Sequence, residues 1–201
     1  MTRFLTTLIF VAAGAPAYAI CPTEADLSGG IRFDTANGEW EVFQAHAPNV
    51  LEARYHFNAL SWQQNRLAGG LYLIEDVFFD MGRPDPASAI RYRFALEPDA
   101  MPQPIPGAVW ATHAETTTQD GRALEEQIYE FGDFTTLDIG ACTYRMMPIV
   151  IRYPIEEQSL DTTSLIYWLP DLGLSYLAAS TFGGKTDRYT YVGVSAVRAL
   201  R

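Results

Sequence analysis

The chain has 201 residues, 48% of them hydrophobic and 13% aromatic, with 24 Asp and Glu against 14 Lys and Arg and a net charge of −10. An acidic balance, with close cationic pairs such as Arg91/Arg93 and Arg198/Arg201 too sparse to form a patch, excludes the electrostatic footprint of a nucleic-acid or anionic-membrane binder. The length suits one domain with a core large enough to fold without staples.

Residues 1–19, MTRFLTTLIFVAAGAPAYA, place Arg3 before an apolar run from Phe4 to Ala13, then Gly14 and Pro16, and end Ala17-Tyr18-Ala19. These are the three regions of a secretory signal peptide, and the apolar run is too short to span a bilayer. The expectation is cleavage after Ala19, leaving residues 20–201 as a single antiparallel β domain in the periplasm or extracellular space. Removing the leader leaves 182 residues and takes one positive charge and no Asp or Glu, so the net charge moves from −10 to −11. The rival is a lipoprotein signal acylated at Cys21, but Ile20 and Tyr18 stand where such signals carry a small and an aliphatic residue. No later segment reaches the ~20 apolar residues of a membrane helix.

The chain has two cysteines, Cys21 and Cys142. In an oxidising compartment an even count reads as a disulfide, here tying the mature N-terminus to a distant strand. Zinc wants four ligands, commonly in close pairs, and no CxxC or HxxxH spacing is present.

From there the hydrophobic period is two. TANGEWEV (35–42) carries a hairpin signal at Asn37-Gly38, of the type I′ kind that needs two positive φ angles. EARYHF (52–57) sends Ala53, Tyr55 and Phe57 to one face and Glu52, Arg54 and His56 to the other, as in a half-buried strand. LSWQQNRL (60–67) loses the alternation and is the single stretch suited to a short helix. LYLIEDVFF (71–79) is apolar on both faces. IRYRFAL (90–96) alternates Ile90, Tyr92, Phe94 and Leu96 against Arg91 and Arg93. MPQPIPG (101–107) is a rigid connector, and TTTQDGRALEEQIYEF (116–131) a second hairpin, turning at Asp120-Gly121. TYRMMPIVIRY (143–153) is another doubly apolar strand, bulged or at an edge at Pro148, which has no N–H to donate. Pro170-Asp-Leu-Gly173 and Gly183-Gly184 mark the last two reversals. The sum is an all-β chain of roughly ten antiparallel strands with at most one short helix, built as a curved half-barrel, a barrel or a sandwich. An outer-membrane barrel also alternates, but its polar lumen does not suit runs that are apolar on both faces.

Chemistry is sparse. There is no GxSxG, GxxxxGK or GxGxxG, and no cofactor or metal site is expected. His46, His56 and His113 read as surface histidines, and Glu125, Glu126, Glu156 and Glu157 as solvated charges. Glu75 and Asp76 interrupt an apolar strand, and consecutive strand residues face opposite sides, so one of them faces the more buried side. That carboxylate is either paired, with Arg91 or Arg93 as the nearest candidates, or kept as an acid of raised pKa in a hydrolytic pair. The aromatics suggest a ligand groove lined by Phe94, Tyr167 and Trp168.

IGACTYRMMPIVIRY followed by SLIYWLPDLGLSYL resembles the closing part of periplasmic proteins of unknown function in the lipoprotein-carrier-like group, on Gly140, Tyr144, Tyr167, Trp168, Pro170, Leu172 and Gly173. The resemblance spans about 40 of the 182 mature residues. It implies a curved antiparallel sheet whose concave face holds an acyl chain or another apolar ligand. Two functions follow: a noncatalytic binder of an apolar small molecule, lipid or envelope partner, which is preferred, or a secreted hydrolase working with carboxylates around Glu75 and Asp76. Nothing in the sequence sets the oligomeric state.

Overall fold

The computed structural model describes residues 21–154 and 162–197. The expected signal peptide, the Glu156/Glu157 pair and the Arg198/Arg201 pair lie outside the described residues. A 3-10 turn at Glu24–Ser28 leads into the strands β1 (Ile31–Thr35), β2 (Trp40–Ala47), β3 (Val50–His56), β4 (Trp62–Ala68), β5 (Tyr72–Asp80) and the two-residue β6 (Arg83–Pro84). Then come β7 (Ile90–Phe94), β8 (Val109–Thr118), β9 (Gly121–Phe131), β10 (Thr135–Ile139) and β11 (Cys142–Tyr153). Last are β12 (Thr162–Leu169), β13 (Leu174–Phe182), β14 (Lys185–Arg188) and β15 (Tyr191–Ala196). Among the described residues no helix is long and apolar enough to cross a membrane.

All fifteen strands belong to one antiparallel sheet, ordered β14-β13-β12-β11-β9-β8-β7-β5-β4-β3-β2-β1-β15, with β10 on β11 and β6 on β5. The sheet is not closed into a barrel, although its two edge strands are joined by only Tyr189 and Thr190. Instead it curls until its halves face each other. One core cluster joins Ile31, Phe33, Phe43 and Leu51 of β1–β3 to Ile139, Tyr144, Leu169, Leu174 and Tyr176 of β10–β13. A second joins Tyr72, Phe94, Ala114 and Tyr129 to Ile149, Ile151 and Trp168. Phe33 shows how the two halves meet: fully buried, it packs against Phe43 at 5.4 Å, Tyr191 at 5.2 Å and Tyr176 at 6.1 Å.

Cys21 and Cys142 are bonded as a disulfide across 121 residues. Around it the N-terminal segment is tied down further, with the Tyr144 hydroxyl donating to the Pro22 carbonyl at 3.2 Å and the Glu24 N–H to the Asp171 carbonyl at 3.2 Å. The β12–β13 reversal is in turn locked onto the β4–β5 reversal. Both the N–H and the hydroxyl of Ser175 donate to the Gly70 carbonyl, at 2.8 and 2.9 Å. The backbones approach so closely that a Cβ on Gly70 would lie 2.3 Å from the Gly173 carbonyl oxygen.

Three local expectations are corrected. Residues 62–67 of the expected helix form β4 together with Ala68: Trp62, Gln64 and Arg66 face outward while Gln63, Asn65 and Leu67 line an interior cavity. The alternation is there, but polar residues occupy both faces, so hydropathy does not show it. The hairpins at Asn37-Gly38 and Asp120-Gly121 form, yet in each only the glycine has positive φ, so neither is type I′. Two successive positive φ angles are found instead at Gly183-Gly184, where a reversal is expected, and at Met81-Gly82. Finally, Pro148 sits inside the sheet, between β12 and β9. Its carbonyl accepts from the Gly132 N–H at 2.8 Å, so its missing N–H also falls on that side, where the partner chain breaks between β9 and β10.

Candidate functional site

The two faces of the curled sheet use charge differently. On the outer face, the register aligns Glu52, Arg66, Glu75 and Arg91 across β3, β4, β5 and β7. Arg66 bonds Glu75 at 2.8 Å and Arg91 bonds Glu75 at 3.0 Å, while Glu52 is paired by Arg54. Next to this row runs an aromatic one: Trp40 stacks on His56 at 4.8 Å, His56 lies 5.4 Å from Trp62, and Trp62 stacks on Phe79 at 4.8 Å. The Arg32 guanidinium caps the row, 4.8 Å from the Trp40 ring. The ring faces are spent on one another, so the row reads as cross-strand packing. Burial among these rings holds the pKa of His56 below the usual histidine value.

Glu75 and Asp76 do point to opposite sides, as adjacent strand residues must. The Arg91 partner expected for the inward carboxylate goes instead to Glu75 on the outer face. Asp76 faces inward, toward a partly open cavity of about 270 Å³ lined by residues of β2–β5, β7, β9 and β11–β13. Its walls carry Glu41, Gln63, Asn65, Asp76, Gln127, Ser164 and Ser175, interleaved with Tyr92, Tyr129, Tyr153 and Tyr176 and with Leu67, Leu71, Leu73, Ile151, Ile166 and Leu177. No Lys, Arg or His is among them. A sheet interior is ordinarily apolar, and a polar group there must find a partner.

Several do so among themselves. Asp76 accepts from the Gln63 amide. Gln127, 4% exposed, accepts from the Tyr129 hydroxyl at 2.7 Å and donates to Glu125. Glu41, 6% exposed, accepts from the Tyr191 hydroxyl. None of these three carboxyls is within ion-pair distance of a cation among the described residues. Burial therefore dominates their titration. It raises Asp76 and Glu125 above the usual carboxylate range, with the amide hydrogen bonds from Gln63 and Gln127 offsetting part of the shift. Burial raises Glu41 to about 7, against the opposing Tyr191 hydrogen bond. Glu125, expected as a solvated charge, is thus a half-buried inward group.

Glu41 gives the first test. Between its ordinary value of 4.5 and about 7, the unfolded chain has released the proton that the folded chain still holds. The folded state then binds more protons, so the contribution of Glu41 to stability is most favourable below about pH 4.5 and is lost as pH rises toward 7. Glu41→Gln removes this contribution, leaving those of Asp76 and Glu125, which have the same sign. Melting temperature against pH is expected to fall less steeply across this window in the variant; parallel curves would contradict the assignment.

The expected groove residues do not share one concavity. Phe94 is buried in the second core cluster against Tyr72 and Trp110, at 6.4 and 6.2 Å. Trp168 borders an open depression of about 710 Å³ near Leu27, Val50 and Phe134. Tyr167, on the other side of β12, borders another of about 250 Å³ with Leu137, Tyr176 and Tyr191. No His lines the polar cavity: His46 lies 3.7 Å from Glu52 on the outer face, and His113 is exposed on β8.

Among the described residues no group of three or more His, Cys, Asp or Glu is arranged to hold a metal ion. The donor set of the cavity is instead one of amides, hydroxyls and carboxyls, suited to hydrogen-bonding a small organic molecule. Comparison with protein-family models, with curated proteins and with solved structures returns no match.

Proposed function

We propose that the chain is a noncatalytic protein of the periplasm or extracellular space, delivered by the leader at residues 1–19, that holds a small hydrogen-bonding molecule inside its curled sheet. One observation carries this: a cavity of about 270 Å³ whose walls mix amide, hydroxyl and carboxyl groups with tyrosine rings and aliphatic side chains. The disulfide and the absence, among the described residues, of a helix able to cross a membrane are consistent with that location. An apolar cavity of about 150 Å³ accommodates a benzene ring, so this one has room for one ring and a polar arm. Its mixed lining favours an amphipathic guest over the bare acyl chain that the lipoprotein-carrier resemblance implies. The buried polar groups select against a ligand that cannot bond them, because leaving a buried donor or acceptor unmade costs about 1–3 kcal/mol.

The test is a thermal-shift screen with small polyols, amines, carboxylates and fatty acids. A compound that occupies the cavity at 100 times its dissociation constant adds about 2.7 kcal/mol of stability, or roughly 5–10 °C for a chain of this size. A saturable rise with a small polar compound, lost in Ser164→Phe, which fills the cavity from β12, is the expected result. A response confined to fatty acids, or no response at all, would contradict it.

A second reading is favoured by one feature: Asp76 and Glu41 line the same cavity, each with a raised pKa. Paired carboxyls with shifted titration are the equipment of a hydrolase. Release of product from a ligand identified in the screen, abolished by Asp76→Asn, would replace the binding role with that one.

A further inference from the structure

We infer that the molecule held in the interior cavity is a small organic ammonium ion, with Asp76 as its principal counter-ion. This rests on the binding role proposed above and adds the charge of the ligand. Its basis is the segregation of charge in the sheet. On the outer face Arg54 of β3, Arg66 of β4 and Arg91 of β7 are committed to Glu52 and Glu75, and Arg93, two residues along β7 from Arg91, lies on that same face. The inner face of the same strands carries Asp76, and the cavity wall also carries Glu41, with no positive side chain among the described residues that line it. Asp76 is bonded by a neutral amide, Gln63, and not by a cation among the described residues.

A carboxylate in a partly desolvated cavity attracts a cation far more strongly than it does in water, and it repels an anion equally. A phosphate, sulfate or carboxylate ligand would meet Asp76 and Glu41 with nothing to neutralise it. An ammonium group supplies the missing charge and donors for the free lone pairs of the carboxylates. The remaining wall suits the rest of such a molecule. The Tyr92, Tyr129, Tyr153 and Tyr176 rings provide faces for cation–π contact and for stacking, and their hydroxyls accept from N–H groups. An inorganic cation fits less well, since the cavity is much larger than an ion and half its wall is hydrocarbon and ring.

The experiment is isothermal titration of the purified full chain at pH 7.5 with three near-isosteric probes: phenethylammonium, 2-phenylethanol and phenylacetate. The expected order is phenethylammonium at least about tenfold tighter than 2-phenylethanol, with phenylacetate not binding. In Asp76→Asn the ratio of ammonium to alcohol affinity is expected to fall to about one. Should that variant not fold, Glu41→Gln is expected to lower the same ratio by a smaller factor. Equal affinities for the ammonium and the alcohol in the native protein, or a preference untouched by both substitutions, would overturn the ammonium assignment while leaving the binding role standing. Binding of none of the three, together with no response in the thermal-shift screen, would remove the binding role and the ammonium assignment with it.

Discussion

Replacing Cys21 and Cys142 with serine is expected to lower the melting temperature by roughly 10–20 °C. The bridge closes a loop of 121 residues. In the chain-entropy model such a loop contributes about 5 kcal/mol, because the cross-link removes conformations chiefly from the unfolded chain. For a domain of this size each kcal/mol corresponds to roughly 2–4 °C. The native state loses something too. Cys142 is 3% exposed within the first core cluster, and the bridge anchors the segment whose Pro22 and Glu24 hydrogen-bond Tyr144 and Asp171. Circular dichroism melts of the double variant and of the native protein in reductant are expected to agree. A drop of only a few degrees in both would mean that packing alone holds the N-terminal segment.

Gly70→Ala is expected to cost roughly 3 kcal/mol, from overpacking and from a positive-φ backbone. Gly70 has φ of +70°, and its added Cβ would lie 2.3 Å from the Gly173 carbonyl oxygen. That oxygen is backbone and cannot swing aside. Relief would separate the β4–β5 reversal from the β12–β13 reversal and break the two hydrogen bonds from Ser175 to the Gly70 carbonyl. Gly69→Ala is the control. Its φ is +57°, but its nearest neighbour would be Asn49 at 4.0 Å, so it meets only the left-handed backbone penalty of roughly 1–2 kcal/mol. Urea denaturation of the two variants separates the effects. Equal losses would show that the contact between the reversals contributes nothing.

The all-β class and the disulfide were legible because their signals are local or simple: alternation in residues 52–57 and 90–96, and an even count of two cysteines in a chain whose first 19 residues read as a secretory leader. The opposite orientations of Glu75 and Asp76 followed from strand geometry alone. The strand count was low because β6, β10 and β14 are short, and β4 was missed because Gln63 and Asn65 face inward where hydrocarbon is expected. The cavity was illegible for the same reason. Its polar wall is assembled from Glu41, Gln63, Asn65, Asp76, Gln127, Ser164 and Ser175 on six strands, and each of these except Asp76 alone looks like a solvent-facing residue. Besides the inward carboxylate at Glu75/Asp76, the usable hint was QQNR, a run polar at every position between two strands. The aromatic residues misled in the opposite direction: Phe94 and Trp168 went into core packing, and Tyr167 to a separate depression.

The most direct measurement is a native mass spectrum of the protein purified gently from the compartment proposed for it, the periplasm or extracellular space, repeated after denaturation. The expected result is a mass for residues 20–201 less two hydrogens, plus a small noncovalent mass that disappears on denaturation and is absent from Ser164→Phe. A bare protein mass before and after denaturation, under conditions that preserve a control complex, would contradict a ligand held in the interior cavity.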